Sequence, residues 1–153
     1  MNKKVIDLLN QARARELGAI SQYMIHHYEL EDKGYGKLAS KLKEIAIAEM
    51  KHAEKLADRI LFLNGEPLSR PAGEVVKGRE ITDMLKTDIA LESDAIALYN
   101  EAAVLCAAQK DQVSKDLFED LLKDEEEHLN TFENTRDLIG TLGAPYLASL
   151  TGK

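Results

Sequence analysis

Four long stretches of the sequence are almost free of glycine and proline, and each carries an apolar stripe at helical spacing. They predict helices over residues 4–32, 37–64, 80–109 and 112–140, with a short fifth helix over 145–151. Near its middle, every long stripe is interrupted by a glutamate. The four interruptions are Glu16, Glu49, Glu92 and Glu125. Because an isolated buried carboxylate is costly, four of them in one core require a positive partner.

The connections between these stretches predict the arrangement of the helices. Gly34 and Gly36 break the first pair and residues 109–111 break the last pair, so each pair should form antiparallel neighbours. Segment 65–78 is long enough to travel the length of a bundle, which allows the second and third helices to be parallel. We therefore expect an all-α, ferritin-like four-helix bundle with one long crossover, formed by a single domain over residues 1–153.

The chemistry-bearing residues repeat along the chain with one spacing. A lone glutamate is followed 33 positions later by a Glu-x-x-His motif, first from Glu16 to Glu49 and again from Glu92 to Glu125. Residues three apart share a helix face, so each motif can direct a carboxylate and an imidazole at one ion. The candidate metal ligands are Glu16, Glu49, His52, Glu92, Glu125 and His128. Among residues 125–127, only the first lies three positions before the histidine.

Charge and ligand type indicate two metal ions. Four carboxylates balance two divalent cations, and carboxylate with imidazole suits iron or manganese better than a structural zinc site. Tyr23 and Tyr99 each follow a lone glutamate by seven positions and could hydrogen-bond the ligating carboxylates, although ordinary core tyrosines would show the same spacing. We count the six ligands and Tyr23 as candidate catalytic residues.

The remaining polar residues carry less information. A single Glu-x-x-His is usually a surface pair, and only its repetition on the apolar stripes argues for metal here. We interpret His26 and His27 as packing or surface residues, and the acidic run 124–127, apart from Glu125, as a solvated helix face. Helix one places Arg13 on the predicted core stripe.

Composition excludes several classes of function. With 27 acidic against 20 basic residues the net charge is -7, which disfavours nucleic acid as a partner. No apolar run approaches a membrane span, and the first residues lack a signal-peptide pattern. The lone Cys106 fits a reducing compartment. We therefore expect a cytoplasmic protein that binds neither membrane nor nucleic acid.

Longer signatures surround the candidate ligands. They are Glu16-Leu17-x-Ala19-Ile20-x-Gln22-Tyr23, Glu49-Met50-Lys51-His52-Ala53-Glu54, Arg59-Ile60-Leu61-Phe62-Leu63-x-Gly65, Ala90-Leu91-Glu92 and Asp124-Glu125-Glu126-x-His128. Through these stretches, and over nearly the whole chain, the sequence resembles the bacterioferritins, a family of ferritin-like di-iron proteins. The resemblance implies a homo-oligomeric shell, a 24-mer of subunits built from dimers. Each subunit would oxidise Fe2+ with O2 or H2O2 at its di-iron site, and the shell would store ferric mineral.

A second apolar stripe supports assembly independently of the resemblance. It consists of Leu17, Ile20, Met24 and Tyr28 on helix one and Ile47, Met50, Ala57 and Leu61 on helix two. One bundle does not need this stripe, so it predicts a subunit interface. The resemblance further implies that Met50 ligates haem b, one haem for each subunit pair at a twofold axis, with Ser21 and Met24 lining the pocket. A methionine that merely fills an interface gap is the alternative.

The resemblance also assigns roles within the site and exposes departures. It implies terminal carboxylates on helices one and three, bridging carboxylates in the two Glu-x-x-His motifs, and a ferredoxin-type reductant for iron release. Glu44 and Ala48 replace residues that form an inner-surface iron site in some members, so that site is expected to be weakened or absent. Leu56 and Thr131 replace aromatic electron donors.

Two other readings remain open at the level of sequence. A non-storage di-iron or di-manganese oxidoreductase, such as a rubrerythrin-like peroxidase or a catalase, would share the ligand pattern. The chain has no Cys-x-x-Cys pair for the electron-transfer iron of rubrerythrins. A metal-free helical bundle would leave the four core carboxylates unexplained.

Overall fold

The computed structural model describes residues 2–153, so the domain predicted over 1–153 begins one residue outside that range. The helices are α1 (Lys3–Asp32), α2 (Gly36–Phe62), α3 (Ile81–Ala108), α4 (Gln112–Leu142) and α5 (Ala144–Ser149). All five predicted helices are confirmed, with ends that shift by one or two residues. Among the described residues, no helix is long and apolar enough to cross a membrane.

Local chemistry explains where the helices begin and end. The side chain of Asn2 accepts a hydrogen bond from Val5 N at the start of α1, and that of Asp111 caps α4 through Ser114 N. The sequence predicted that α2 ends at residue 64. The helix stops at Phe62 instead, because Asn64 adopts a left-handed φ of 64°.

The crossover between α2 and α3 runs along the length of α1. Asn10 accepts from Leu68 N, Ala14 O accepts from Ala72 N, and Gln22 exchanges two hydrogen bonds with the backbone of Val76. These contacts advance from the first third of α1 towards its end, so α3 starts at the opposite end of the bundle from where α2 stopped. Helices α2 and α3 are therefore parallel, as the length of the crossover predicted.

The core is divided into two apolar clusters by a polar layer. One cluster includes Leu9, Leu56 and Phe118, and the other includes Leu42 and Phe132. In every long helix the buried glutamate lies between residues of the first cluster and residues of the second. The polar layer is thus enclosed by apolar side chains above and below.

Of two arginines on α1, the one predicted on the core stripe is not the one that is buried. Arg13, predicted on the core stripe, lies at its edge and donates to the carbonyls of Ala53 and Leu68, so it fastens the crossover. Arg15 is buried instead. The prediction for Arg13 was wrong because a long guanidinium side chain can leave the face on which its Cα lies.

A buried polar pair lies beside the crossover. His26 Nδ1 is 2.8 Å from Asp88 Oδ1, and both side chains are buried. The amide of Gln22 lies 3.0 Å from His26 Nε2 while it also holds Val76. His26 is therefore a packing residue, as expected, but its partner Asp88 was not foreseen. Burial raises the pKa of Asp88 to about 6, although the neighbouring imidazole of His26 opposes the shift.

Candidate metal centre

The structure brings all six candidate ligands together in the polar layer. The four glutamates are fully buried, His52 is nearly so, and His128 is 11% exposed. Their ligand atoms form two sets within which every atom lies within 4.8 Å of the others. One set is Glu16, Glu49, His52 and Glu125, and the other is Glu49, Glu92, Glu125 and His128. The two motif glutamates, Glu49 and Glu125, belong to both sets.

Each of the six side chains has one buried atom that has no hydrogen-bond partner within residues 2–153. These atoms are Glu16 Oε2, Glu49 Oε1, His52 Nδ1, Glu92 Oε2, Glu125 Oε1 and His128 Nδ1. Buried polar atoms are normally satisfied, so six such atoms in one place fit a site for cations. Four carboxylates and two imidazoles form a donor set suited to iron.

A guanidinium that the sequence did not point to enters this cluster. Arg15 Nη1 donates to Glu49 Oε2 at 2.5 Å and to Glu125 Oε2, while Arg15 Nη2 lies 3.2 Å from Glu92 Oε1. Burial disfavours its charge, but the carboxylates outweigh that effect, and the pKa of Arg15 is raised well above its usual value. The only signal for this role in the sequence was that Arg15 directly precedes Glu16, in a helix that carries an apolar stripe on another face.

His52 is oriented by a carboxylate outside the cluster. Its Nε2 donates to Asp124 Oδ2 at 2.7 Å, which leaves Nδ1 facing Glu49 at 3.2 Å. The side chain of Asp124 is 49% exposed, as expected of a solvated face, but its bond to His52 was not foreseen. Glu126 and Glu127 are exposed as expected. Such a partner fixes the ring and its tautomer for metal binding.

The two tyrosines cross between the halves of the bundle. Tyr23 on α1 donates to Glu92 on α3, and Tyr99 on α3 donates to Glu16 on α1 at 2.5 Å. Burial and the neighbouring carboxylate raise the pKa of each phenol well above its usual value, so both remain donors. Each lone glutamate is thus held by a tyrosine from the other hairpin.

The charges of the cluster are strongly coupled. Burial disfavours charged imidazole, but the glutamates outweigh it and raise the pKa of His52 to about 11 and that of His128 to about 12. Burial and its acidic neighbours raise the pKa of Glu125 to about 10. The pKa of Glu49 is held well below its usual value because the two histidines and Arg15 outweigh burial. The cluster thus holds protons that bound cations would replace.

A cavity of about 480 Å³ adjoins the centre on the side of His128. Lys41, Glu44, Glu127 and Thr131 are among its lining residues. Lys41 Nζ lies 3.4 Å from Glu44 Oε2, so this acidic side chain is already paired. The cavity gives His128 its solvent contact and provides an approach to the metal ligands.

The second apolar stripe is open on the surface of the chain. Met50 is 46% exposed, and Tyr28, Ile47 and Leu61 are also exposed. Met50 follows Glu49 directly and therefore points about 100° around α2 from that ligand. Met50 and the candidate metal ligand Glu49 thus occupy different faces of α2.

Known proteins share this architecture and sequence. The ferritin-like domain family matches residues 6–141. A bacterioferritin of Desulfovibrio desulfuricans is 44% identical to this chain, across 97% of the chain and 83% of the relative. The chain belongs to the bacterioferritin family. Family members from Rhodobacter capsulatus and Mycobacterium leprae are 44% and 34% identical over 96% and 91% of the chain, and over 91% and 87% of their own lengths.

A solved bacterioferritin has the same fold. The X-ray structure of the Desulfovibrio desulfuricans protein, described as showing its diiron site in different catalytic states, aligns with a TM-score of 0.95 at 44% sequence identity. The match covers 98% of this chain and 88% of that chain. Membership in the bacterioferritin family and the ferritin-like fold, both predicted from the sequence, are confirmed.

Proposed function

We propose that this chain is an iron-storing ferroxidase subunit that oxidises Fe2+ at a di-iron centre, acting as one domain over residues 1–153. The observation that carries the proposal is that the six predicted ligands form two groups that share two glutamates, and that each of the six has a buried atom without a partner among the described residues. When bound, two ferrous ions supply one electron each to O2 or H2O2, and iron is both substrate and occupant of the centre.

The geometry supports specific roles for the ligands. Glu49 and Glu125 belong to both ligand groups and would bridge the two ions, whereas Glu16 and Glu92 each belong to one group and would be terminal. His52 and His128 would complete one group each. Tyr23 would hold Glu92 through its hydroxyl, as Tyr99 would hold Glu16, so both terminal carboxylates keep a fixed orientation.

Haem b is proposed to bind at Met50, with one haem between two subunits. The exposed thioether lies on the second apolar stripe, which a porphyrin would cover, and Met24 on α1 belongs to the same stripe. Ser21 and Met24 would line the pocket. Because a single subunit supplies one such methionine, a twofold axis would provide the second axial ligand.

The finished particle is proposed to be a 24-subunit shell in the cytoplasm, with mineral inside and a ferredoxin-type reductant for release. Its support is the exposed stripe on α1 and α2 together with membership in the bacterioferritin family. The buried thiol of Cys106 agrees with a reducing compartment.

One set of measurements on the purified protein tests these statements. Size-exclusion chromatography combined with a visible spectrum and an iron assay after aerobic Fe2+ addition should show a very large species that carries haem and takes up iron. A small species that turns over peroxide without storing iron would instead indicate a rubrerythrin-like peroxidase or a catalase. A species that binds no iron would contradict the di-iron centre itself.

A site variant links the activity to the proposed ligands. Glu16→Ala should slow Fe2+ oxidation strongly, because one ion loses its terminal carboxylate. Glu126→Ala, at an exposed position on the same helix as Glu125, is the matched control and should oxidise iron as the parent does. Oxidation by Glu16→Ala at the parent rate would refute the assigned site.

A further inference from the structure

We propose that Arg15 is a built-in cation that competes with metal for the di-iron centre, holding the carboxylates together before metal enters and leaving them when it binds. This inference rests on the proposed di-iron function. It concerns the affinity of the centre, and it predicts that the centre of this chain binds divalent ions less tightly than its ligands alone would allow.

The contacts of Arg15 place its charge among the four candidate carboxylate ligands. Its Nη1 atom is bonded to both shared glutamates, Glu49 and Glu125, and lies 3.5 Å from Glu16 Oε1. Its Nη2 atom is 3.2 Å from Glu92 Oε1. One guanidinium thus contacts all four carboxylates, and both Arg15 and its partners are buried.

The oxygens that Arg15 engages are the ones that bridging would require. The unpartnered oxygens of Glu49 and Glu125 are their Oε1 atoms, whereas Arg15 binds Oε2 of both. A carboxylate that bridged two ions through both of its oxygens would give one oxygen to each ion. In that mode Arg15 would release both Oε2 atoms when the two glutamates bridge.

Charge balance leads to the same conclusion. Four carboxylates neutralise two divalent cations, so a guanidinium that stayed among them would add an uncompensated positive charge within a few ångströms of the ions. Like charges at that distance in a buried site repel strongly. Arg15 and a fully loaded centre are thus mutually exclusive in this arrangement.

The carboxylates do not bind every donor of Arg15, which makes its displacement from them feasible. Its Nε atom is buried without a hydrogen-bond partner among the described residues. Its Nη2 atom also donates to the carbonyl of Leu91 at 3.2 Å, a contact on α3 outside the carboxylate set. The internal repeat relates residues 76 positions apart, such as Glu16 and Glu92. The counterpart of Arg15 in this repeat is Leu91, so the centre receives one guanidinium and not two.

The test uses Zn2+, which is redox-inert, so that binding is measured without iron oxidation. Isothermal titration calorimetry on metal-stripped parent and Arg15→Met protein should show Zn2+ binding at least tenfold tighter in the variant, equivalent to about 1.4 kcal/mol. Arg13→Met is the matched control, because Arg13 contacts the crossover and not the glutamates, and it should bind Zn2+ as the parent does.

Thermal unfolding separates competition from a purely structural role. Without metal, Arg15→Met should unfold at a lower temperature than the parent, because the carboxylates lose their counter-ion. With saturating Zn2+, the gap should close. An equal loss of stability in both states with unchanged Zn2+ affinity would show that Arg15 only supports the fold, which overturns the proposal.

A second variant keeps the test decisive if Arg15→Met does not fold. Arg15→Gln removes the charge but keeps an amide that can donate to a glutamate, so its Zn2+ affinity should also lie above that of the parent. Affinity in Arg15→Gln equal to or below that of the parent would overturn the proposal. Failure of the parent itself to bind Zn2+ would overturn the di-iron function as well, whereas equal binding by parent and variants would overturn only the role of Arg15.

Discussion

Asp124 Oδ2 accepts a hydrogen bond from His52 Nε2 at 2.7 Å, whereas no carboxylate within residues 2–153 pairs with His128 Nε2. The internal repeat relates residues 76 positions apart, so the counterpart of Asp124 is Ala48. One histidine of the centre is therefore anchored from behind, while the other borders the cavity. The two halves of the centre are alike in their ligands and unlike in their support.

This asymmetry predicts that Asp124→Asn weakens the half of the centre that contains His52. Loss of a carboxylate behind a ligating histidine typically costs about 10–100-fold in metal affinity. Calorimetric titration with Zn2+ should show one of the two binding steps weakened by that factor. Glu126→Gln is the control on the exposed face of α4, and an equal effect of both substitutions would mean that net charge, not orientation of His52, is responsible.

The shared glutamates predict a difference in metal stoichiometry. Glu49→Ala removes a member of both ligand groups and should abolish tight binding of either ion, whereas Glu92→Ala removes a member of one group and should leave one ion bound. Equilibrium dialysis against Co2+ followed by metal analysis gives the number of ions per subunit. The assignment of bridging and terminal carboxylates fails if the two variants bind equally.

The clustering of the six candidate ligands could be predicted because helical periodicity fixes the face on which a residue lies, and the repeated spacing selects Glu125 from its neighbours. Arg15 and Asp124 could not be found in that way. Periodicity places a Cα, but the long side chain of Arg15 reaches the cluster from the edge of its stripe. Asp124 contributes through a partner on another helix, and such a pairing depends on the packing of α2 against α4.

The same reasoning explains the other outcomes. The crossover and the parallel relation of α2 and α3 followed from the length of one connection. His26 was correctly assigned to packing, but its partner Asp88 lies on a helix that is distant in sequence. Pairs of this kind depend on tertiary geometry, which the local periodicity of a single sequence does not reveal.

Haem binding should depend on Met50 and not on the iron site. Met50→Leu keeps the apolar volume but removes the thioether ligand, so the pyridine haemochrome assay should show loss of haem while Zn2+ binding stays at the parent level. Met24→Leu, on the predicted pocket wall, should retain haem. Haem content in Met50→Leu equal to that of the parent would assign the axial ligand elsewhere.

Asp88 should give the fold an unusual dependence on pH. Its pKa is raised from 3.8 to about 6 in the folded chain, so between these values the folded state holds a proton that the unfolded state has released. Stability from this group therefore increases as pH falls from about 6 to about 4, by roughly 1–3 kcal/mol.

The matched comparison for this effect is Asp88→Asn, which cannot titrate. Urea unfolding of parent and variant at a fixed protein concentration, across this pH range, should show the parent gaining stability relative to the variant as the pH is lowered. A constant difference between the two proteins would mean that Asp88 keeps its ordinary pKa in the folded chain.

The sharing of Glu49 and Glu125 between the two ligand groups also sets the order in which the protein can mature. Each helical hairpin brings three ligands of its own, but each group needs one glutamate from the other hairpin. A chain in which only one hairpin has folded therefore cannot complete either group. Only subunits whose two hairpins have docked can capture iron. A newly made chain therefore binds iron only after its core has closed.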